Sequence, residues 1–286
     1  MTATGPTTAR APETVTWSGI QSSYEGTMLE VRHLKKDYGT GQKTARILAD
    51  VTFDVQPGEF VCVVGPSGSG KTTLLRSIAG LQAPTSGEVV FEGETVTDPP
   101  SKMAVVFQDY SRSLLPWMTV AANVELPMRN KFDKAERARR VEDALISVGL
   151  AGKGNLYPWQ MSGGMQQRAA IARGIGYQPD VLLMDEPFAA VDAQTRIELE
   201  DLVLRIRQAY NTTVLFVTHD IDEAVYLADR VIVLSGAPTS VTENIVVDLP
   251  RPRDQIETKA LPRYAQVRNQ VFKLIQDAKS HASVGS

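Results

Sequence analysis

Apolar residues follow two periods along this chain, and each period predicts a different kind of element. Short, compact apolar runs predict strands that are buried on both faces of a parallel sheet; they are Phe60–Val64, 103–107, 181–184, Thr213–Val217 and 231–234. Between them, apolar residues recur at helical spacing, at 74–79, 141–148 and 199–206. Strands that alternate with helices predict an α/β fold.

The two ends and the middle of the chain depart from this alternation. Residues 1–27 are rich in Thr, Ala, Ser, Gly and Pro, which predicts a flexible tail. Strand patterns at 29–34 and Ala45–Val55 place a β region ahead of the core, and residues 262–279 predict a terminal amphipathic helix that starts at a proline. We therefore expect a main domain at 28–258 with a helical subdomain inserted at about 109–165, and a C-terminal helix and tail at 259–286.

Composition and charge narrow the class of protein. The chain has 286 residues, 43% of them hydrophobic, and a formal net charge of −3, which gives no reason to expect a nucleic-acid partner. No apolar run approaches the roughly 18–20 residues needed to cross a bilayer, and no secretory signal is apparent. The single cysteine, Cys62, lies in an apolar run and predicts a small buried residue. These properties suit the cytoplasm, so a role at a membrane requires the helices of another subunit.

A glycine-rich loop follows the first buried strand and precedes a predicted helix. Residues 65–72 read GPSGSGKT, which fits the phosphate-binding pattern GxxxxGK[ST]. Its glycines let backbone N–H groups approach phosphates closely, and the helix that begins near Lys71 directs its positive end at them. The Lys71 ammonium suits the β- and γ-phosphates, and the Thr72 hydroxyl suits Mg²⁺. The context of strand, loop and helix predicts that a nucleoside triphosphate binds here.

Two acidic residues follow another buried run and predict the hydrolytic part of the site. Asp185 and Glu186 come directly after residues 181–184, at the carboxyl edge of the predicted sheet, where open α/β sheets bind ligands. We expect Asp185 to hold Mg²⁺ and Glu186 to polarise the attacking water as a general base. A pair of solvated acids at a strand end is the alternative, which the neighbouring phosphate loop makes less attractive.

A second phosphate-type motif, SGGMQ at 162–166, resembles the signature of the ATP-binding cassette (ABC) family, and the resemblance covers about residues 28–249. It implies a P-loop NTPase of ABC type, with a mostly parallel sheet core, an N-terminal antiparallel β region and an inserted helical subdomain. It also implies ATP and Mg²⁺ as ligands and hydrolysis of ATP to ADP and phosphate. The chain departs from the family pattern at three places. Residue 161 is Met where leucine is usual, Met165 replaces the glutamine of LSGGQ, and AAVD at 189–192 departs from SALD but keeps its acid.

The same resemblance assigns expected roles residue by residue. Tyr38 would stack on adenine, although a surface or core tyrosine is an open alternative. Gln108 would reach Mg²⁺ and the attacking water, Asp192 would form the D-loop, and His219 would contact the γ-phosphate. The expected ATP-binding residues are Tyr38, Gly65, Pro66, Ser67, Gly68, Ser69, Gly70, Lys71, Thr72 and Thr73; the catalytic residues are Glu186, His219 and Gln108; and the metal-binding residues are Thr72, Gln108 and Asp185.

In this family the signature of one subunit covers the nucleotide held by another. The resemblance therefore implies that Ser162, Gly163, Gly164 and Gln166 contact the ATP of a partner cassette. Since the chain contains no internal repeat, we expect a second copy of itself as that partner. ATP would then hold two head-to-tail cassettes together, and hydrolysis would release them, as a ligand-driven switch.

Three stretches resemble the nitrate/sulfonate/taurine branch of bacterial importers: VFQDYSRSLLPWMTVAANV, YPWQMSGGMQQR and VVDLPRPRD. The resemblance implies an ATPase subunit that is peripheral at the cytoplasmic face of the cell membrane and energises uptake of a small solute. Its expected partners are an integral-membrane permease and, through it, an extracytoplasmic solute-binding protein. The apolar residues 114–118 either dock on that permease or pack inside the helical insertion.

Other functions remain as alternatives at this point. An exporter or a lipid-extruding complex would use the same ATPase chemistry with a different membrane partner. A non-transport ABC ATPase acting on DNA or ribosomes usually carries two cassettes, a long coiled coil or zinc cysteines, and this sequence has none of these. A P-loop kinase would not need residues 162–166 or His219.

Overall fold

The computed structural model describes residues 24–39, 44–109 and 113–284, with side chains up to residue 280. Most of the predicted N-terminal tail, residues 1–23, lies outside the described residues. Within these ranges the strands are β1 Leu29–Tyr38, β2 Ala45–Val55, β3 Phe60–Val64, β4 Ser86–Phe91, β5 Glu94–Thr95, β6 Met103–Val106, β7 Val181–Asp185, β8 Thr213–Val217, β9 Arg230–Leu234 and β10 Thr239–Val246. They join into one ten-stranded sheet with the order β5-β4-β1-β2-β10-β9-β3-β8-β7-β6.

The core of the sheet is parallel, as the compact apolar runs predicted. β3 pairs in parallel with β8 and β9, and β7 pairs in parallel with β6 and β8. Every residue of β3, β7 and β8 is buried, since helices cover both faces. Alternate residues of β3 enter opposite layers: Phe60, Cys62 and Val64 pack on one side of the sheet, and Val61 and Val63 on the other.

The N-terminal part of the sheet is antiparallel. β1 pairs antiparallel with both β2 and β4, and β4 pairs antiparallel with the short β5. The register of β1 shifts near His33, whose φ of 48° lies in the left-handed region. The sequence analysis did not predict β4, β5 or β10. These strands are partly exposed and mix polar with apolar residues, so they lack a continuous apolar run.

Helices cover the sheet and form the segment between β6 and β7. The helices are α1 Lys71–Ile78, α2 Val120–Glu125, α3 Lys134–Ser147, α4 Gly163–Ile175, α5 Ala193–Tyr210, α6 Ile221–Leu227, α7 Glu257–Ala260 and α8 Pro262–Val284. The segment between β6 and β7 contains α2, α3, α4 and 3-10 turns at Leu126–Met128 and Pro158–Gln160, and its described residues include no strand. The C-terminal helix α8 packs on α6 and β9.

Candidate active site

The glycine-rich loop connects the end of β3 at Val64 to the start of α1 at Lys71. Gly68 and Gly70 have φ values of 79° and 80°, which side chains rarely adopt. A Cβ at Gly70 would lie 2.6 Å from Ile47 Cγ2, whereas one at Gly68 would have no atom within 4 Å. The loop is therefore packed against β2 at its end and open at its middle, where Ser67 is also exposed. This is the shape needed for backbone N–H groups to face an anion.

Lys71 is held inside the curve of the loop. Its side chain is 6% exposed, and its ammonium donates to the carbonyl oxygens of Gly65 at 3.0 Å and Pro66 at 3.1 Å. Burial lowers the pKa of Lys71, and the carboxylates of Glu186 and Asp185 oppose this. The Lys71 Nζ and Glu186 Oε1 atoms lie 4.0 Å apart. A cation is thus placed at the start of α1, where the helix dipole also favours a bound anion.

Thr72 and Asp185 meet across the gap between α1 and β7. The Thr72 hydroxyl donates to Asp185 Oδ1 at 3.2 Å, and both residues line a cavity of about 460 Å³ together with Gln108. Burial raises the pKa of Asp185, and the Thr72 hydrogen bond opposes the rise. The three residues expected to bind a metal therefore lie around one cavity.

Glu186 and His219 form a second contact at the same edge of the sheet. Glu186 Oε2 and His219 Nδ1 are 2.9 Å apart, with Glu186 following β7 and His219 following β8. The Glu186 backbone has φ of 43°, and its N–H donates to Val217 O at 2.8 Å. A left-handed conformation in a non-glycine residue is strained and is concentrated at functional sites. It turns the chain sharply at the end of β7 and brings the glutamate next to the histidine.

Two arginines that the sequence analysis did not single out line the Gln108 cavity. Arg76 follows Thr72 by one turn of α1, so the two share a helix face. Arg173 comes from α4; its guanidinium donates to Ser113 Oγ at 3.0 Å, and burial lowers its pKa. The spacing of Arg76 from Thr72 was a usable signal in the sequence, whereas Arg173 reaches the cavity only through the tertiary fold.

The signature residues surround the start of α4. Ser162 caps this helix by accepting a hydrogen bond from the N–H of Met165 at 3.3 Å, and Ser162 and Gly163 are exposed. The Gln166 amide instead donates to Pro158 O at 2.9 Å and to Met161 O at 3.2 Å. In this structure Gln166 thus braces the turn that precedes the helix.

The D-loop lies next to the signature. Asp192 caps α5 by accepting from Thr195 N at 2.9 Å and from Thr195 Oγ1 at 2.7 Å, bonds that lower the pKa of Asp192. The same threonine covers the signature, because a Cβ at Gly164 would lie 2.7 Å from Thr195 Cγ2. The fold therefore joins these two motifs at one exposed surface, which the sequence alone did not indicate.

The remaining expected nucleotide contacts lie around the loop. Tyr38 ends β1, is 42% exposed and accepts a hydrogen bond from the Gln82 amide, while the Lys36 ammonium lies 5.4 Å from its ring centroid. Pro66 is buried, Thr73 is partly buried, and Ser69 is fully buried with its backbone carbonyl accepting from the Thr239 hydroxyl. The exposure of Tyr38 leaves it accessible to a base.

Comparisons with known proteins agree with this geometry. A sequence profile of the ABC transporter family matches residues 48–189. The chain is 45% identical over 240 residues to the aliphatic sulfonates import ATP-binding protein SsuB 1 of Xanthomonas axonopodis pv. citri (strain 306), covering 83% of this chain and 93% of that protein. It is 44% identical over 245 residues to the nitrate import ATP-binding protein NrtC of Synechococcus elongatus, covering 84% of this chain but only 37% of that longer protein.

A solved structure extends the match to three dimensions. The dimeric, post-hydrolysis state of the ATP-binding cassette MJ0796 bound to ADP and Pi superposes with a TM-score of 0.68 at 33% sequence identity, covering 77% of this chain and 99% of that one. Motifs, fold and relatives therefore agree, and the chain belongs to the ABC transporter family, as one of its ATP-hydrolysing cassettes.

Proposed function

We propose that this chain is the ATPase subunit of an importer for a small solute of the nitrate or sulfonate type. The observation that carries the proposal is the gathering of Lys71, Asp185, Glu186 and His219 at one edge of the sheet, in a chain whose relatives are named as import proteins. Those names favour import over export. The solute itself would be selected by the partner subunits.

The residues around the Gln108 cavity fit Mg²⁺. Thr72, Gln108 and Asp185 supply a hydroxyl, an amide and a carboxylate, which are the hard oxygen donors that this ion prefers. Among the described residues no group of three His, Cys, Asp or Glu side chains could hold a metal alone. Such a sparse donor set suits Mg²⁺, which usually completes its shell with substrate phosphates and water. The ion would neutralise charge on the phosphates when it is bound.

The chain's own groups divide the work of hydrolysis. Lys71 and the N–H groups of the glycine loop bind the phosphates, and Tyr38 offers a ring to the base. Glu186 acts as the general base that accepts a proton from the attacking water, and His219 orients the Glu186 carboxylate through their 2.9 Å contact and reaches the γ-phosphate. Gln108 links this cavity to the helical segment that follows it.

The exposed signature implies a second cassette. Ser162 and Gly163 are exposed at a helix start, where N–H groups attract anions, and the Asp192 cap lies beside them. We infer that a second copy of the chain brings its ATP to this surface, with Gly164 and Gln166 shaping it. Closure of the pair around ATP, and its release after hydrolysis, would drive the transporter.

The membrane partner would dock on the helical segment. Leu114 is buried in the core, whereas Trp117 is 72% exposed, so residues 114–118 both anchor the segment and present an aromatic side chain. A permease at this surface would place the chain as a peripheral subunit at the cytoplasmic face, with a solute-binding protein acting through the permease. Among the described residues no helix is both long and apolar enough to span a bilayer. We also propose the division expected from the sequence: a tail at 1–27, a main domain at 28–258 with a helical subdomain inserted at about 109–165, and a C-terminal helix and tail at 259–286. The helices between β6 and β7 and the C-terminal helix support it.

Reconstitution in vesicles tests the importer. A permease that copurifies with this chain would be incorporated with it into liposomes, with a solute-binding protein on one side of the membrane and ATP on the other side, which holds the chain. Movement of nitrate and of sulfonates across the membrane would then be measured. We expect solute movement away from the binding protein's side, and no movement with Glu186→Gln. Movement in the opposite direction would support export, and copurification with nucleic acid that stimulates hydrolysis would contradict the transport role.

A further inference from the structure

A buried carboxyl group lies next to the loop that carries His219, residues 218–220, and has no part in the steps above. Glu223 is in the first turn of α6, four residues after His219, and is only 4% exposed. One of its oxygens, Oε2, accepts a hydrogen bond from the Thr218 hydroxyl at 2.6 Å. Thr218 immediately precedes His219 and is itself 2% exposed. Burying a carboxyl group costs free energy unless the group is hydrogen-bonded, so the bond to Thr218 offsets part of the cost of placing Glu223 here.

Thr218 is held from two further directions. Its N–H donates to Val63 O at 3.1 Å, which ties it to the strand that leads into the glycine loop. Its hydroxyl oxygen accepts from the N–H of Asp220 at 3.0 Å while the hydroxyl donates to Glu223. The residues on both sides of His219 are therefore bonded through one hydroxyl group, and Glu223 fixes the direction in which that hydroxyl points.

Arg196 connects this cluster to the D-loop helix. It lies in α5, and its backbone N–H donates to Asp192 O at 2.9 Å. Its Nη1 donates to Asp220 Oδ2 at 3.1 Å, and its Nε lies 3.5 Å from Glu223 Oε1, an ion-pair contact longer than a hydrogen bond. The guanidinium thus gives the buried carboxylate a countercharge from the helix that Asp192 caps.

The His219 side chain has little packing of its own. It is 57% exposed, and its ring is fixed by the hydrogen bond between Nδ1 and Glu186 Oε2. The placement of this ring therefore depends on the backbone of residues 218–220. Displacement of a catalytic group by about 1 Å can lower a rate by about 10²-fold.

We propose that Glu223 is a positioning residue for ATP hydrolysis: through the Thr218 hydroxyl it holds His219 against Glu186, and Arg196 ties the same carboxyl group to the D-loop helix. The inference rests on the proposed roles of Glu186 and His219. Glu223 touches neither of these side chains, so its effect on the reaction is indirect. ATP binding, which depends on Lys71 and the glycine loop, does not require it.

Kinetics of single variants test this role in the full-length chain. Glu223→Ala and Thr218→Val both remove the same hydrogen bond, and Glu223→Gln keeps an oxygen acceptor for Thr218. Glu200→Ala is the matched control, because Glu200 is a carboxyl group 3% exposed on the neighbouring α5, bonded to Gln255 and not to Thr218. For each variant, kcat and KM for ATP, the affinity for ADP, and the thermal midpoint would be measured.

We expect kcat to fall about tenfold in Glu223→Ala and in Thr218→Val, with KM and ADP affinity within about threefold of the wild type. The double variant should lose less than the product of the two single losses, because both changes remove the same Thr218–Glu223 hydrogen bond. Glu223→Gln should recover kcat to within about threefold, and Glu200→Ala should stay near the wild type whatever its thermal midpoint.

Wild-type kcat in Thr218→Val would overturn the proposal, as would a loss of kcat in Glu200→Ala equal to that in Glu223→Ala. If Glu223→Ala does not fold, Thr218→Val and Glu223→Gln still decide the question. If instead the wild-type chain turns over no ATP, both the proposed function and this inference are contradicted. If the wild-type chain is active and the variants match it, only this inference is contradicted.

Discussion

Replacing the carboxyl group of Glu223 by an amide should remove a loss in the free energy of unfolding that develops as the pH rises towards 7. Glu223 is almost fully buried, and burial raises its pKa from the ordinary 4.5 to about 7. The Thr218 hydrogen bond and the Arg196 charge oppose the rise, while Asp220 and Glu200 add to it. In the unfolded chain the same carboxyl group is hydrated and ionises at its ordinary pKa.

The sign follows from the raised pKa of the folded state. Below pH 4.5 the carboxyl group is neutral in both states and costs no stability; as the pH rises towards 7 it ionises first in the unfolded chain, which favours unfolding. With about 1.4 kcal/mol for each unit of pKa difference, the loss between pH 5 and pH 8 is roughly 2 to 3 kcal/mol. Glu223→Gln has no proton to exchange and escapes this loss.

Urea unfolding of the wild type and of Glu223→Gln at pH 5 and pH 8 measures the effect. The free energy of unfolding of the variant, relative to the wild type, should rise by roughly 2 to 3 kcal/mol from pH 5 to pH 8, with equal m values. The exposed Glu142→Gln reports the background effect of the change in net charge. If the relative stability of Glu223→Gln is the same at both pH values, the claim that burial raises the pKa of Glu223 is refuted.

Three further changes test separate parts of the structure. Lys71→Ala should abolish tight ATP binding in a fluorescence or calorimetric titration, because it removes the cation inside the loop; an unchanged Kd would contradict the loop assignment. Asp192→Ala should lower the free energy of unfolding by about 1 kcal/mol, since it removes the α5 cap, and an unaltered urea midpoint would argue against that cap. Trp117→Ala should cost less than about 0.5 kcal/mol of stability because the ring is exposed, yet weaken copurification with the permease; full retention of the permease would place the docking surface elsewhere.

The central strands and the glycine-rich loop could be predicted because each is determined by a few consecutive residues. Phe60–Val64 and Thr213–Val217 were predicted with the bounds that the structure has, and 181–184 and 231–234 each lacked one terminal residue. Strands buried on both faces must be apolar throughout, so their sequence carries the signal by itself. The phosphate loop is similarly local, because its glycines and lysine act within eight consecutive residues.

The missed elements depend on contacts between distant parts of the chain. β10 has mixed polarity, and its strand conformation comes from pairing with β9 and β2. The junction of the signature with the D-loop depends on Thr195, which packs against Gly164 and bonds Asp192. The cluster of Glu223, Thr218 and Arg196 likewise joins α5 to α6. The spacing of residues along a sequence does not show which distant side chains contact one another in the folded chain.

The most direct test of the account is the mass of Glu186→Gln in solution with and without ATP and Mg²⁺. Loss of the general base should slow hydrolysis by about 10²-fold or more, so that ATP persists between two protomers. Sedimentation analysis should then show a species of twice the 31.2 kDa chain mass with ATP and Mg²⁺, which returns to the single-chain mass with ADP. A variant that binds ATP but keeps the single-chain mass at saturation, even with the permease present, would contradict the claim that ATP joins two cassettes.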